Sequence, residues 1–99
     1  MTTQTTEVQE TILEQIRSLD KWALGAWGAR EFKASGATLI FRVNGTKLKR
    51  GWIEVAYNEI SDTYTVMGMR QYAMKIKTTE PISGVYWDSL VQVIDGIVG

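Results

Sequence analysis

The chain has 99 residues, of which 44% are apolar and 22% charged, the proportions of one globular domain rather than of a disordered segment. Its 11 lysines and arginines equal its 11 aspartates and glutamates, so no net charge draws the whole molecule to nucleic acid or an anionic membrane, and any such binding needs a local patch. With neither cysteine nor histidine, the chain lacks the means for disulfides, thiol nucleophiles, catalytic triads and most transition-metal sites; carboxylate or lysine chemistry is the remaining route to catalysis, and the expectation is a non-enzyme without a cofactor or metal.

The start, MTTQTTEVQE, has no basic segment followed by an apolar run. No apolar stretch approaches the ~20 residues that cross a bilayer. A cytoplasmic location with no membrane partner follows as the expectation. Residues 1–5 are polar and expected to fray. Thr6 and Gln9 have the spacing of a capping box. From there Val8, Ile12, Ile16, Leu19 and Ala23 recur at helical spacing, Leu13 widens the stripe, and Glu10, Glu14, Arg17 and Asp20 lie off it. The pattern predicts an amphipathic helix of about four turns, stopped by Gly25 and Gly28. The connecting stretch WALGAWGAR (22–30) reads either as a tight link whose indoles cap the core or as an aromatic loop that grips a ligand.

Strand signals follow. Glu31–Ala34 is short and ends at Ser35-Gly36. ATLIFRV (37–43) alternates, with Leu39, Phe41 and Val43 on one face. Asn44-Gly45 is a two-residue hairpin signal. In TKLKRGWIEVAYN, Leu48 has the opposite parity to Ile53, Val55 and Tyr57, and a bulge at Gly51 would bring them to one face. TYTVMGMR (63–70) and YAMKIKT (72–78) supply two more strands, with Met74 and Ile76 on one side of the latter and Lys75 and Lys77 on the other. Pro81 closes the sheet region, and Tyr86, Leu90, Val93, Ile94 and Ile97 predict a final helix near 86–97 with Asp88 in its first turn.

This order predicts a single α+β domain over 1–99: two layers, with an antiparallel meander of four to five strands and an N-terminal and a C-terminal helix on one face. The other sheet face is then open. With Leu39, Phe41, Ile53, Val55, Met67, Met69, Met74 and Ile76 inward, the outward set holds Ile40, Arg42, Trp52, Glu54, Tyr64, Val66, Arg70, Tyr72, Lys75 and Lys77. Aromatics mixed with cations on a sheet suit base stacking and phosphate binding, or a protein interface. The opposite parity for the third strand, with Tyr64 and Val66 inward, stays open and would break the platform.

Four further groups stand out. Lys47, Lys49 and Arg50 form the only dense charge run, either a hairpin tip that meets phosphate or an acidic surface, or a solvated edge that discourages strand addition. Trp22, Trp27 and Trp87 could line a small-ligand pocket. Glu7, Glu10 and Glu14 could hold a divalent cation only if other carboxylates joined them, and a solvated helix face explains them better. Gly25, Gly28 and Gly36 lack the strand lead-in and the Gly-Lys-Ser/Thr of a phosphate loop.

TILEQIRS, then WALGAWGAREF, ATLIFRV, the DTYTV strand and GVYWDSL occur in an order that resembles a group of small uncharacterised bacteriophage and mobile-element proteins. The resemblance runs over roughly residues 11–95, with its motifs at Thr11–Gln15, Gly28–Phe32, Asp62–Tyr64 and Gly84–Leu90. The segment before GAREF is richer in tryptophan and glycine than the group's pattern. The resemblance implies this fold and a mobile-element origin and brings no mechanism with it. It raises the expectation of an accessory protein that acts on the host by binding a host protein or by sequestering a small signal. Nucleic acid and a small ligand are the alternative partners, and a bare sheet face leaves homodimerisation open.

Overall fold

The computed structural model describes residues 6–72 and 74–99; the expectation of fraying over 1–5 lies outside that range. Helix α1 spans Thr6–Leu19. Its stripe buries Ile12 and Ile16 completely and packs Val8 and Leu13 partly on the same core, while Glu10, Glu14 and Arg17 face water. The helix is shorter than its apolar stripe. The chain breaks after Leu19, where Asp20 Oδ1 accepts a 3.0 Å hydrogen bond from the Trp22 amide, and resumes as the single turn α2 (Ala23–Ala26).

The strands are β1 (Arg30–Ser35), β2 (Thr38–Val43), β3 (Gly51–Asn58), β4 (Thr63–Tyr72), β5 (Lys75–Thr78) and β6 (Ile82–Val85). A 3-10 turn at Trp87–Ser89 leads into α3 (Leu90–Val98). Every pairing is antiparallel, in the order β1-β2-β3-β4-β5. β6 also pairs with β4, so the far edge of β4 is divided: β6 takes the stretch at Tyr64–Val66 and β5 the stretch from Met69 to Tyr72. Thr79 fills the step between them, donating its amide to Gly68 O and accepting the Gly68 amide on Oγ1, both at 2.9 Å. β6 has no counterpart in the sequence reading, because four residues after a proline with an internal glycine carry no alternation to detect.

The α+β meander is as expected, with helices at both ends of the chain. Leu39, Phe41, Ile53, Val55, Tyr64 and Val66 point to one side, where they join Ile12 and Ile16 of α1 and Leu90, Ile94 and Val98 of α3 in one cluster. Each such side chain contributes roughly 1.5–3 kcal/mol by leaving water. Gln9 is buried too. Instead of closing a capping box, its Nε2 donates to Gly36 O at 2.9 Å and Thr38 O at 3.1 Å, which ties α1 to the β1–β2 turn.

Four local expectations are corrected. Asn44-Gly45 is not a two-residue hairpin: residues 44–50 form a longer loop folded against the end of α3, with the Lys47 and Leu48 amides donating to Val98 O at 2.9 and 3.1 Å. Leu48 reaches the core from this loop and not through a bulge, since β2 and β3 pair without interruption from Thr38↔Ala56 to Val43↔Gly51. Gly51 and Gly68 make the room: a Cβ on Gly51 would meet Leu48, and one on Gly68 would lie 2.8 Å from Ile97 Cγ2 and 3.2 Å from Leu48 Cδ2. That close approach also sets the phase of β4. The side under α3 must carry Gly68, so Tyr64 and Val66 fill the core, and Met67 and Met69 face outward. The same phase reverses β5. Ile76 pairs with Gln71 on the outer side, and Lys75 and Lys77 fall on the opposite side from it.

Candidate functional site: the open sheet face

The face away from the helices is built on β3. Trp52 and Glu54 project from it, flanked by Ile40 and Arg42 on β2 and by Met67 and Met69 on β4. Lys33 of β1 pairs with Ile40 and lies on the same face. Trp52 is half-buried among these neighbours, with Lys33 Nζ 5.0 Å and Arg42 Cζ 5.2 Å from its ring centroid. Both distances suit cation–π attraction. Beside the indole, Lys33, Ile40, Trp52, Met69, Arg70 and Ile76 enclose an open groove of about 250 Å³.

A bulge in β1 orders one end of this face. The register slips between Arg30 and Lys33, and Glu31 takes a φ of 53°, the left-handed position usual for glycine in such bulges. The extra residue lets Phe32 turn to the helix side, 5.4 Å from the Phe41 ring, while the Glu31 carboxylate reaches the outer face. There Glu31 Oε2 lies 3.1 Å from Arg42 Nη1 and 3.8 Å from Arg30 Nε. Arg42 is thus held between a carboxylate and an indole, and its Nε is shielded from water without a hydrogen-bond partner. Nothing in the sequence marks a glutamate with positive φ, so the bulge was not legible.

The residues expected to form the platform separate. Arg42 and Trp52 share the outer face, and Arg70 lines the groove at its edge. Tyr64 is a core residue, 5% exposed, whose hydroxyl donates to Gln15 Oε1 at 2.8 Å; it leaves the platform because β4 has the opposite phase. The side chain of Tyr72 lies outside the described residues. Lys75 and Lys77 are exposed on β5 but not beside Ile76. The 47–50 run is not a free tip either: Lys47 Nζ donates to Gly96 O at 3.3 Å, where a cation suits the carbonyl end of α3, while Lys49 and Arg50 stay exposed.

Among the described residues, the three tryptophans differ in burial and do not line one described cleft together. Trp27 is buried, Trp22 is 72% exposed in the connector beneath Lys21, and Trp87 is 49% exposed. Of the three, only Trp27 lines the cleft of about 350 Å³ between α1–α2 and α3, alongside Asp20, Asp88 and Asp95. Glu10 and Glu14 are exposed on α1, the Glu7 side chain lies outside the described set, and among the described residues no three ligating side chains converge. A second, polar cleft of about 210 Å³ lies where α1 crosses the β3–β4 turn, lined by Thr11, Gln15, Tyr57, Asp62 and Tyr64. There the Tyr57 hydroxyl donates to Asp62 Oδ1 at 2.7 Å.

Zero net charge conceals a segregation. Residues 30–78, the strands β1 to β5 and their loops, hold nine of the 11 cations and only four of the 11 acids. The segments on either side, which supply the helices, hold two cations and seven acids. The segment of the chain that supplies β1 to β5 is therefore basic, and the two segments that flank it are acidic. This signal was available in the sequence and needed only a charge count by element.

No family model, curated protein or solved structure matches the chain. No described helix is long and apolar enough to cross a membrane.

Proposed function

We propose that this chain is a non-enzymatic binding protein that captures a protein partner on its open sheet face. The observation that carries the reading is Trp52: a large aromatic held by Lys33 and Arg42 on a sheet face that none of the described helices covers, beside a groove lined by Ile40, Met69 and Ile76. Aromatic and arginine side chains are the usual anchors of protein interfaces. An exposed apolar patch with a polar rim is the usual mark of an interaction site. The resemblance to phage and mobile-element proteins is consistent with an accessory protein acting on a host component.

Single-stranded nucleic acid is the weaker reading. Stacking platforms use successive aromatics, and with Tyr64 in the core Trp52 is the aromatic left among the described residues of this face. A tryptophan-lined metabolite site is weaker still, because the cleft lined by Trp27 includes neither Trp22 nor Trp87 among its described lining residues.

Site-specific photo-cross-linking tests the reading. A photoreactive residue at Ile76, which is 68% exposed on the groove, is expected to cross-link a discrete partner in cells. The same residue at Ile60, 96% exposed in the β3–β4 turn, serves as a control for exposed hydrophobicity away from the face. Equal cross-linking at the two positions would remove the support for this face.

A further inference from the structure

We infer that the partner contributes an acidic segment that presents one large apolar side chain to the groove beside Trp52; this rests on the reading of the open face as the binding surface. Charge complementarity gives the partner its sign. The outer face carries Arg30, Lys33 and Arg42 against Glu31 and Glu54, and Lys33 stands at the groove itself. The groove gives the partner its anchor. Its floor is Ile40, Trp52, Met69 and Ile76, and its volume of about 250 Å³ falls below the roughly 300–1,000 Å³ of pockets that enclose drug-sized ligands. It is open to solvent and suited to a side chain entering from a chain laid across the sheet.

The fixed charges narrow the arrangement. Arg42 is already paired with Glu31 at 3.1 Å, so it supports the Trp52 ring and leaves Lys33 to meet an incoming carboxylate. Glu54 sits on the same face between Ile40 and Met67 and repels acids there. The partner's acids therefore lie toward Lys33, and its apolar residue lies over Trp52. A buried apolar anchor with charged flanks gives affinity through the anchor and salt-sensitive association through the flanks.

The test is selection from a random-peptide display library on the intact chain, run in parallel on Trp52→Ala and Lys33→Glu. Lys33 stands on a fully exposed strand, so its variant keeps the fold even if Trp52→Ala loosens the sheet; circular dichroism checks both. The expected result is enrichment of peptides with a leucine, phenylalanine or tryptophan flanked by aspartate and glutamate. A synthetic version should bind about tenfold or more weakly to either variant, and more weakly at high salt. Basic or uncharged peptides that still depend on Trp52 would overturn the acidic partner and leave the binding face standing. Peptides indifferent to Trp52→Ala, with no cross-link specific to Ile76, would overturn both. An absence of enrichment, salt-dependent binding of a labelled oligothymidylate in its place, or self-association by sedimentation that Lys33→Glu abolishes, would each overturn the acidic-segment proposal.

Discussion

Trp27 and Asp95, 68 residues apart in the chain, are joined by a 3.1 Å hydrogen bond from the indole Nε1 to the carboxylate Oδ1. The same tryptophan accepts the Asn44 amide on its backbone carbonyl at 2.8 Å. One residue thus ties the α1–β1 connector to α3 and to the start of the 44–50 loop. Buried at 2% exposure, it holds these segments together from within the core. Trp27→Ala is expected to cost about 3–5 kcal/mol, as for other buried aromatics. Trp27→Phe, which keeps most of the ring volume but loses the bond to Asp95, should cost less. Urea unfolding of both variants measures the difference.

Gly45 is required by close approach. A Cβ there would run into the carbonyl and side chain of Val98 at the end of α3. Backbone cannot move aside as a flexible side chain can, so Gly45→Ala should destabilise by about 1–3 kcal/mol. Leu48→Ala, which empties the space kept by Gly51 and Gly68, should cost about 2–5 kcal/mol. Thermal unfolding of each variant reads the effect, and an unchanged melting temperature in Gly45→Ala would mean that the loop does not pack on α3.

Alkaline pH should loosen the polar cleft at the β3–β4 turn. The hydrogen bond to Asp62 raises the Tyr57 pKa above 10.0, and burial raises that of Tyr64. Both phenols hold their protons more tightly folded than unfolded. Their stabilising contribution is therefore complete below about pH 10 and is lost as pH rises through the folded-state values. The melting temperature should fall above that pH, and less steeply in a Tyr57→Phe/Tyr64→Phe double variant. An identical fall in the double variant would place the alkaline sensitivity elsewhere.

Gln9 clamps the β1–β2 turn through two carbonyls. Replacing it with alanine should cost about 1–3 kcal/mol, because Thr38 O loses a donor in a shielded position. Amide hydrogen exchange should rise first in β1, the outer strand that this clamp steadies, and an increase confined to α1 would contradict the assignment.

How far the fold could be read in advance depended on how one-sided each element is. The α1 stripe and the alternation of β2 and β3 have apolar residues on one face only, so Ile12, Ile16, Leu39, Phe41, Ile53 and Val55 could be placed in the core from spacing alone. β4 reads TYTVMGMR, which is apolar on both faces, and its phase is set by the space that α3 needs over Gly68. That long-range fact misplaced Tyr64 and inverted β5. Asn44-Gly45 is a case of a residue needed for another reason: the glycine lies under Val98, and the loop around it is longer than a tight turn. Trp52 and Arg42 were legible as members of the open face because β2 and β3 alternate cleanly. Lys33 was not, because the Glu31 bulge shifts the register of β1.

The central claim is that the outer face around Trp52 is where a partner sits. Chemical-shift mapping of the backbone amides tests it most directly, during titration with the tightest peptide from the display selection. The account predicts that the largest shifts fall on Lys33, Ile40, Trp52, Met69 and Ile76, with the amides of α1 and α3 unmoved, and that Trp52→Ala abolishes the pattern while Trp22→Ala leaves it intact. Shifts concentrated on α1, α3 or the cleft beside Trp27, with the β3 amides silent, would contradict it.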